Sequence, residues 1–303
     1  ELINTNNITL IGSKKYKKNL LKTINKFQCN FNLIFEEEQK NTTAAIYFSV
    51  MSAYQKNKNS YVVIMPSDHF IPDGMNFNET ILSSLSLAEN SSWVVFGVPV
   101  SRPSTSYGYI KTQKKDNKRK FVSFIEKPNQ PTAKILFKDK NYYWNSGVFF
   151  GKSKKILESI ESHANDIFQS SKIAWQNRKI NDDYQIIQKE FSKKIRSESI
   201  DFAVLEKERS VAFLKMKCYW NDIGSWDSIS ELQENNTLSK FKDLAQIESK
   251  NISVYSDKGT VSTIGLKDII IINHRDNILI IKKGETEKVK SLLEQFSTLE
   301  DKY

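Results

Sequence analysis

No apolar run in this 303-residue sequence approaches the roughly 20 residues of a membrane span, so no membrane partner is expected. Cysteine is almost absent. Cys29 and Cys218 are too few for a disulfide framework or a cysteine metal cluster. Reduced thiols in a cytoplasmic protein are the expectation that remains. A nucleic-acid partner is not expected either. The formal charge is +10, but the lysines are scattered along the chain, as in Lys14, Lys15, Lys17 and Lys18 and again in Lys114, Lys115, Lys118 and Lys120. A positive field would still help recruit polyanionic nucleotides. Hydrophobic residues at 39% and charged residues at 26% suit a soluble globular chain. Its length allows one large α/β domain and a small second one.

The first half alternates between apolar runs and helical patterns. Residues 7–11 and 31–35 read as strands, 14–27 and 41–51 as helices, and 62–65 as a third strand. That βαβ alternation implies a mostly parallel sheet. A helix over 78–87, strands at 93–98 and 121–125, and an aromatic run at 142–150 follow. Residues 153–195 read as mainly helical, 211–216 as a strand and 226–234 as a helix. The texture turns polar and loop-like over 235–245. After it come short β-runs at 252–255, 260–264, 269–273 and 278–282, then a final helix over 285–296. No exact repeat is visible, but the regular spacing allows a few coils of a β-helix. The expected domains are residues 1–235, α/β, and residues 246–303, a small β domain.

Two stretches carry candidate chemistry. In VVIMPSDHF (62–70), Pro66 should end the strand, leaving Asp68 just past its carboxyl end, where open α/β sheets bind ligands. In WNDIGSW (220–226), Asp222 precedes Gly224 on a tight turn. Two such carboxylates could converge on one divalent ion, since Mg²⁺ is usually held by one or two carboxylates plus substrate phosphates. An Asp after a strand is also an ordinary turn former or helix cap, and the pattern alone allows both roles.

The order of longer words is more specific. NTTAA (41–45), MPSDHFI (65–71), FGVPVSRPSTSYGYI (96–110), FIEKP (124–128), YYWNSGVFF (142–150), SIDFAVLEK (199–207), WNDIGSW (220–226) and TIGLKDIIII (263–272) occur in that order. Together they resemble the bacterial mannose-1-phosphate guanylyltransferases, sugar-nucleotide pyrophosphorylases of the nucleotidyltransferase superfamily. The resemblance covers nearly the whole chain. It implies a Rossmann-like, GT-A-like nucleotidyltransferase domain followed by a short β-helix-like domain. It implies transfer of GMP from GTP to mannose 1-phosphate, giving GDP-mannose and pyrophosphate. Another sugar phosphate or nucleotide, or an inactive nucleotide-sugar-binding homologue, is the alternative. Relatives dimerise, so a homodimer is expected.

The resemblance also assigns residues. Asp68 and Asp222 match the family's metal aspartates for Mg²⁺. Glu126 and Lys127 match its EKP turn, with the carboxylate on sugar hydroxyls and the lysine on the sugar phosphate. Asn145 matches the amide that grips the sugar, beside Gly147. Tyr107 and Gly108 match the sugar-side loop, where Ser106 stands in place of the usual Gly. His69 is expected to fix backbone, the aromatics of 142–150 to form core, and Asp201 and Lys207 to support the site or the fold. The family's opening loop, GGxGTRLxP, has no counterpart here. Glu1-Leu2-Ile3 resembles the end of the helix that follows it, so a chain confined to these residues is expected to be nearly inactive. The larger relatives' cupin isomerase domain is likewise not expected.

Overall fold

The computed structural model describes residues 7–115, 118–234 and 244–300. Glu1-Leu2-Ile3 and most of the polar stretch 235–245 lie outside the described residues. The chain divides into two compact units. One runs to Ser67 and resumes over Ile71–Trp220; the other joins Asp68–Phe70 to residues 221 onward.

In the first unit the chain runs β1 (Ile8–Ser13), α1 (Lys17–Ile24), β2 (Phe31–Glu36), α2 (Asn41–Lys56) and β3 (Tyr61–Ile64). It continues through α3 (Gly74–Ser83), α4 (Leu85–Asn90), β4 (Trp93–Pro99), β5 (Tyr109–Lys115), β6 (Lys118–Ile125), α5 (Gln130–Lys138) and β7 (Tyr142–Lys152). Then come α6 (Ser153–His163), α7 (Asn165–Gln176), β8 (Lys179–Ile180), β9 (Gln185–Ile187), α8 (Lys189–Ser192), a π-helical turn over Asp201–Leu205, and β10 (Val211–Lys215).

The larger sheet has the order β10-β4-β7-β5-β6, with β3 also on β7. Its central strands β4 and β7 are buried on both faces, and the period of two shows it. Trp93 and Val95 of β4 face one core with α2, α6 and α7, while Val94, Phe96 and Val98 face a second core with α3, α4 and α5. Phe149 and Phe150 of β7 divide in the same way. Each fully buried side chain of this size contributes about 1.5–3 kcal/mol, so a sheet apolar on both faces needs helices on both sides.

The smaller sheet is β1-β2-β9-β8. Parallel pairs join β1 to β2, β2 to β9 and β10 to β4. The long β7 runs antiparallel to β3, β4 and β5. Val62–Ile64 therefore differs from its expected setting. The strand touches both cores, but it is half-buried and paired antiparallel to β7. The expected helical stretch 153–195 also breaks. Gln185–Ile187 forms β9 because pairing beside β2 buries Ile186 and Ile187, and three residues carry no period that a sequence could display.

The second unit contains α9 (Trp226–Glu234), β11 (Leu244–Ile247), β12 (Lys250–Ser256), β13 (Val261–Ile264), β14 (Lys267–His274), β15 (Asn277–Lys282) and α10 (Val289–Glu300). Leu244 pairs in parallel with Val261 and Lys250 with Lys267, both 17 positions on. The corners repeat at the same interval. Glu248 and Gly265 have φ of 50° and 65°, and Asn251 and Asp268 have φ of 60° and 56°. The coil is thus a repeat of backbone conformation without a repeat of residue type. β15 closes it as an antiparallel hairpin partner of β14. Trp226 and Ile229 of α9 pack on Tyr255 and its neighbours, so packing places residues 221–234 with this unit, earlier than the change of texture at 235.

Among the buried polar groups of the described residues, one is a carboxyl with an unpartnered oxygen. Glu36 ends β2, is 2% exposed, and its Oε1 has no hydrogen-bond partner. Burial pushes its pKa from 4.5 up to about 7. The folded chain therefore keeps a proton that the unfolded chain loses. Below pH 4.5 both states are protonated and the site costs nothing. Stability then falls as pH rises from 4.5 to 7, by about 3 kcal/mol at most. Glu36→Gln should raise the melting temperature at pH 8 and leave it nearly unchanged at pH 4.5. A difference in melting temperature that does not grow with pH would show that Glu36 ionises in both states alike.

Candidate functional site

In the first unit the candidate residues converge on the bulge of β7. Val95 pairs with Phe149 but Gly97 pairs with Asn145, so two residues of β4 span four of β7. The surplus lies over Ser146–Val148, where Gly147 is left-handed at φ 68°. A bulge of this kind re-aims side chains beside it. Gly97 permits the close approach, because a Cβ there would run into the Phe213 ring and Tyr143. The Asn145 backbone N–H donates to Gly108 O at 2.8 Å. Asn145 Oδ1 accepts from Gly147 N at 3.1 Å, and Asn145 Nδ2 donates to Asp201 Oδ1 at 2.9 Å.

Glu126 and Lys127 follow β6. Asn129 caps α5 by accepting from Thr132 N at 3.0 Å, so the turn is held between a strand end and a helix start. Lys127 sits at φ 37°, outside the usual range for a residue with a Cβ. Its Nζ lies 3.6 Å from Glu126 Oε1 and is largely exposed. The Glu126 carboxylate faces the bare Cα of Gly108: a Cβ there would stand 2.5 Å from Oε2. Burial raises the Glu126 pKa, the Asp201 charge adds to the rise, and Lys127 opposes it. Burial likewise raises Asp201, against the hydrogen bond from Asn145 and the charge of Lys127.

Gly108, Glu126, Asn145 and Gly147 are thus brought together, with Lys127 beside Glu126. Tyr107 is not exposed to a ligand in this way. Its ring is 7% exposed and packs edge-on to Trp144 and Trp220 at 4.8 and 5.6 Å. Burying a large amphipathic ring in that cluster is favourable, so Tyr107 anchors in the core the loop that carries Gly108. Ser106 keeps an ordinary backbone, and the loop is pinned by Tyr109 Oη, which accepts from Ser104 N and donates to Ser104 O. Lys207 Nζ donates to Ala203 O at the end of the π-helical turn, a structural contact.

The second unit contains the two aspartates. Phe70 and Asn221 form an antiparallel bridge, with Phe70 N to Asn221 O at 2.7 Å and Asn221 N to Phe70 O at 3.1 Å. Asp68 and Asp222 flank that bridge on its two chains. His69 feels both: burial lowers its pKa, while the charges of Asp68 and Asp222 oppose the fall. The turn carrying Asp222 is strained. Ile223 is β-branched yet has φ 48°, a conformation costing about 1–3 kcal/mol. Asn221 Oδ1 holds it by accepting from Ile223 N at 2.7 Å. Asp222 Oδ1 accepts from Gly224 N at 3.1 Å, and a Cβ on Gly224 would stand 2.6 Å from Asp222 Oδ2.

Among the described residues no group of three or more His, Cys, Asp or Glu could hold a metal ion. Two carboxylates beside a backbone bridge fit a different kind of site. They offer hard oxygen donors, the ligand type that divalent cations such as Mg²⁺ take together with other ligands.

The Nucleotidyl transferase family model matches residues 3–239, a span that includes every one of these candidate residues. The chain belongs to the nucleotidyl transferase family. A second model, the MannoseP isomerase/GMP-like beta-helix domain, matches residues 242–296. The coil of β11 to β14 is therefore the short β-helix that the spacing allowed. The mannose-1-phosphate guanylyltransferase of Escherichia coli is 30% identical over 273 residues, covering 87% of this chain and 59% of the relative. The alginate biosynthesis protein AlgA of Pseudomonas aeruginosa is 30% identical over 268 residues, covering 86% and 56%. The chain thus spans less than three fifths of the length of these relatives. A Thermus thermophilus structure, described as mannose-1-phosphate geranyltransferase, shares the fold with a TM-score of 0.79 at 20% identity, covering 95% of this chain and 84% of that one. Divalent metal use is general in the family.

Sequence reasoning missed Glu36 and left Asp201 between two roles. A carboxylate ending the otherwise apolar FNLIFE was the available signal for the first. Nothing local marks the second.

Gly108→Ala tests the cradle. The clashing atom is the end of a flexible side chain, so Glu126 should swing away with little change in melting temperature. A crystal structure of the variant showing Glu126 in place and the backbone displaced would refute the arrangement.

Proposed function

We propose that the protein transfers GMP from GTP to mannose 1-phosphate, releasing pyrophosphate and forming GDP-mannose. The observation that carries this reading is the cradle of Glu126, Gly108 and Asn145 in a chain 30% identical, over 87% of its length, to a mannose-1-phosphate guanylyltransferase. The name of the Escherichia coli relative supports mannose 1-phosphate and the guanine nucleotide as substrates.

Nucleotidyl transfer asks for positioning and charge neutralisation more than for a covalent participant. Glu126 would accept hydrogen bonds from sugar hydroxyls, and the bare Cα of Gly108 leaves its carboxylate room to do so. Asn145 offers an amide fixed at both ends. Lys127, exposed and held near Glu126, would meet the sugar phosphate as a point charge. An oxygen of that phosphate would attack the α-phosphorus of GTP in line. Asp68 and Asp222 would hold Mg²⁺, which supplies charge neutralisation on the phosphates when bound. Gly224 and the strained Ile223 would keep the Asp222 carboxylate in its place.

Two sets of variants test the reading in the full-length protein. Asp68→Asn and Asp222→Asn should each lower Mg²⁺-dependent turnover by several orders of magnitude, roughly as a transition-state contact does. The double variant should lose little more than the worse single one, because groups acting as a unit are not additive. Melting temperature should hold. Stable, metal-independent turnover in Asp68→Asn would sink the metal assignment. Glu126→Gln should raise KM for mannose 1-phosphate and lower kcat/KM by about 1.5–3 kcal/mol in barrier, with KM for GTP little changed. An equal loss on the GTP side would show that Glu126 does not face the sugar. Pyrophosphate release assayed across GTP, ATP and UTP with several sugar phosphates identifies the substrate pair.

A further inference from the structure

The Asn145 amide has two chemically different ends, and its neighbours leave it one orientation. Asp201, when ionised, can only accept hydrogen bonds, while the Gly147 backbone N–H can only donate. Nδ2 must therefore face Asp201 at 2.9 Å and Oδ1 must face Gly147 at 3.1 Å. Remove the carboxylate, and the amide is free to turn over at the cost of only the Gly147 contact.

Asp201 is itself held from two directions. It opens the π-helical turn Asp201–Leu205, a rare form that is frequent at functional sites. The residues before it are tied to the start of α2. Thr43 N and Oγ1 both donate to Glu198 O, at 3.3 and 2.8 Å, and Thr42 Oγ1 accepts from Ile200 N at 2.9 Å. Thr42 and Thr43 belong to the NTTAA word, which thereby gains a physical role, since its hydroxyls set the height of the Asp201 turn. On the other side, Asn145 N donates to Gly108 O, and Gly108 borders the Glu126 carboxylate. One continuous set of contacts runs from α2 through Asp201 and Asn145 to Gly108 and Glu126.

We propose that Asp201 is a positioning residue of the sugar site, which sets the orientation of the Asn145 amide and so decides which amide atom the substrate meets. The inference rests on the sugar-nucleotide reading above. Keeping a carboxylate in a half-buried place next to Glu126 is electrostatically unfavourable, as the upward pressure on both groups shows. A neutral acceptor would avoid that conflict, but an amide or hydroxyl there could also donate and would not dictate the orientation.

Steady-state kinetics on the full-length protein tests this, with mannose 1-phosphate and GTP varied separately. Asp201→Leu removes the acceptor. It should raise KM for mannose 1-phosphate roughly tenfold, the scale of one lost charge-assisted hydrogen bond, and leave KM for GTP within about twofold. Asp201→Asn, which keeps an acceptor oxygen but can also donate and so does not dictate the orientation, should recover only part of that loss. In an Asn145→Ala background, Asp201→Leu should add little, because its partner is already gone. An unchanged KM for the sugar phosphate, an equal rise for both substrates, or full additivity with Asn145→Ala would each overturn the proposal. Should Asp201→Leu fail to fold, the unaltered protein still decides. The side-chain amide protons of Asn145, assigned by their loss in Asn145→Asp, should exchange slowly in NMR spectra, and fast exchange would refute the hold by Asp201. Absence of GMP transfer to any sugar phosphate by the unaltered protein would instead overturn the functional reading, whatever the amide exchange shows.

Discussion

The pairing of β7 with β3, β4 and β5 is the constraint on which the larger sheet depends. One 11-residue strand accepts three antiparallel neighbours: β4 pairs with it on both sides of the bulge, β3 with the end beyond the bulge and β5 with the end before it. The bulge at Ser146–Val148 is what reconciles these registers. It also turns Asn145 toward Asp201 and its backbone N–H toward Gly108. A strand that organises the core therefore carries the central residue of the proposed sugar site, and the same hydrogen bonds serve both. The close fit at Gly97 against Phe213 is the packing counterpart of that arrangement.

The two candidate clusters store unfavourable energy in different forms. Around Asn145 it is electrostatic: Glu126, Asp201 and Glu206 act on one another with Lys127 as the opposing charge, in a place that burial makes hostile to ions. Around Asp222 it is conformational: a β-branched Ile223 is left-handed, and a glycine is needed where a Cβ would press on the carboxylate. Neither would survive by selection for stability alone, since about 1–3 kcal/mol is a large part of a domain's margin. Their persistence at the positions that the family words single out is what makes them candidates. Glu36 is a third such case, a carboxyl at the end of β2 whose pKa burial raises to about 7 and which lacks a partner for one of its oxygens.

The second unit shows how far backbone geometry can repeat when side chains do not. Left-handed corners recur 17 residues apart with glutamate against glycine and asparagine against aspartate. Asn251 Nδ2 donates to Asp268 Oδ1 at 2.7 Å, so equivalent corners also hold each other. Asparagine, aspartate and glycine tolerate such φ values, and Glu248 is carried there by its neighbours.

The sequence by itself determined the alternation of strands and helices, the β-runs of the second unit, the family words and the residue types at each candidate position. Those features are local, and period, turn chemistry and motif order record them. It could not determine that Tyr107 would be core, because an aromatic in a loop reads the same whether or not Trp144 and Trp220 meet it. It could not display β9, whose three residues become a strand only beside β2. Nor could it rank Asp201, whose importance lies in a hydrogen bond to a residue 56 positions away. Only the tertiary structure decided these, because they depend on which surfaces exclude water together and on which side of a bulge an amide must face.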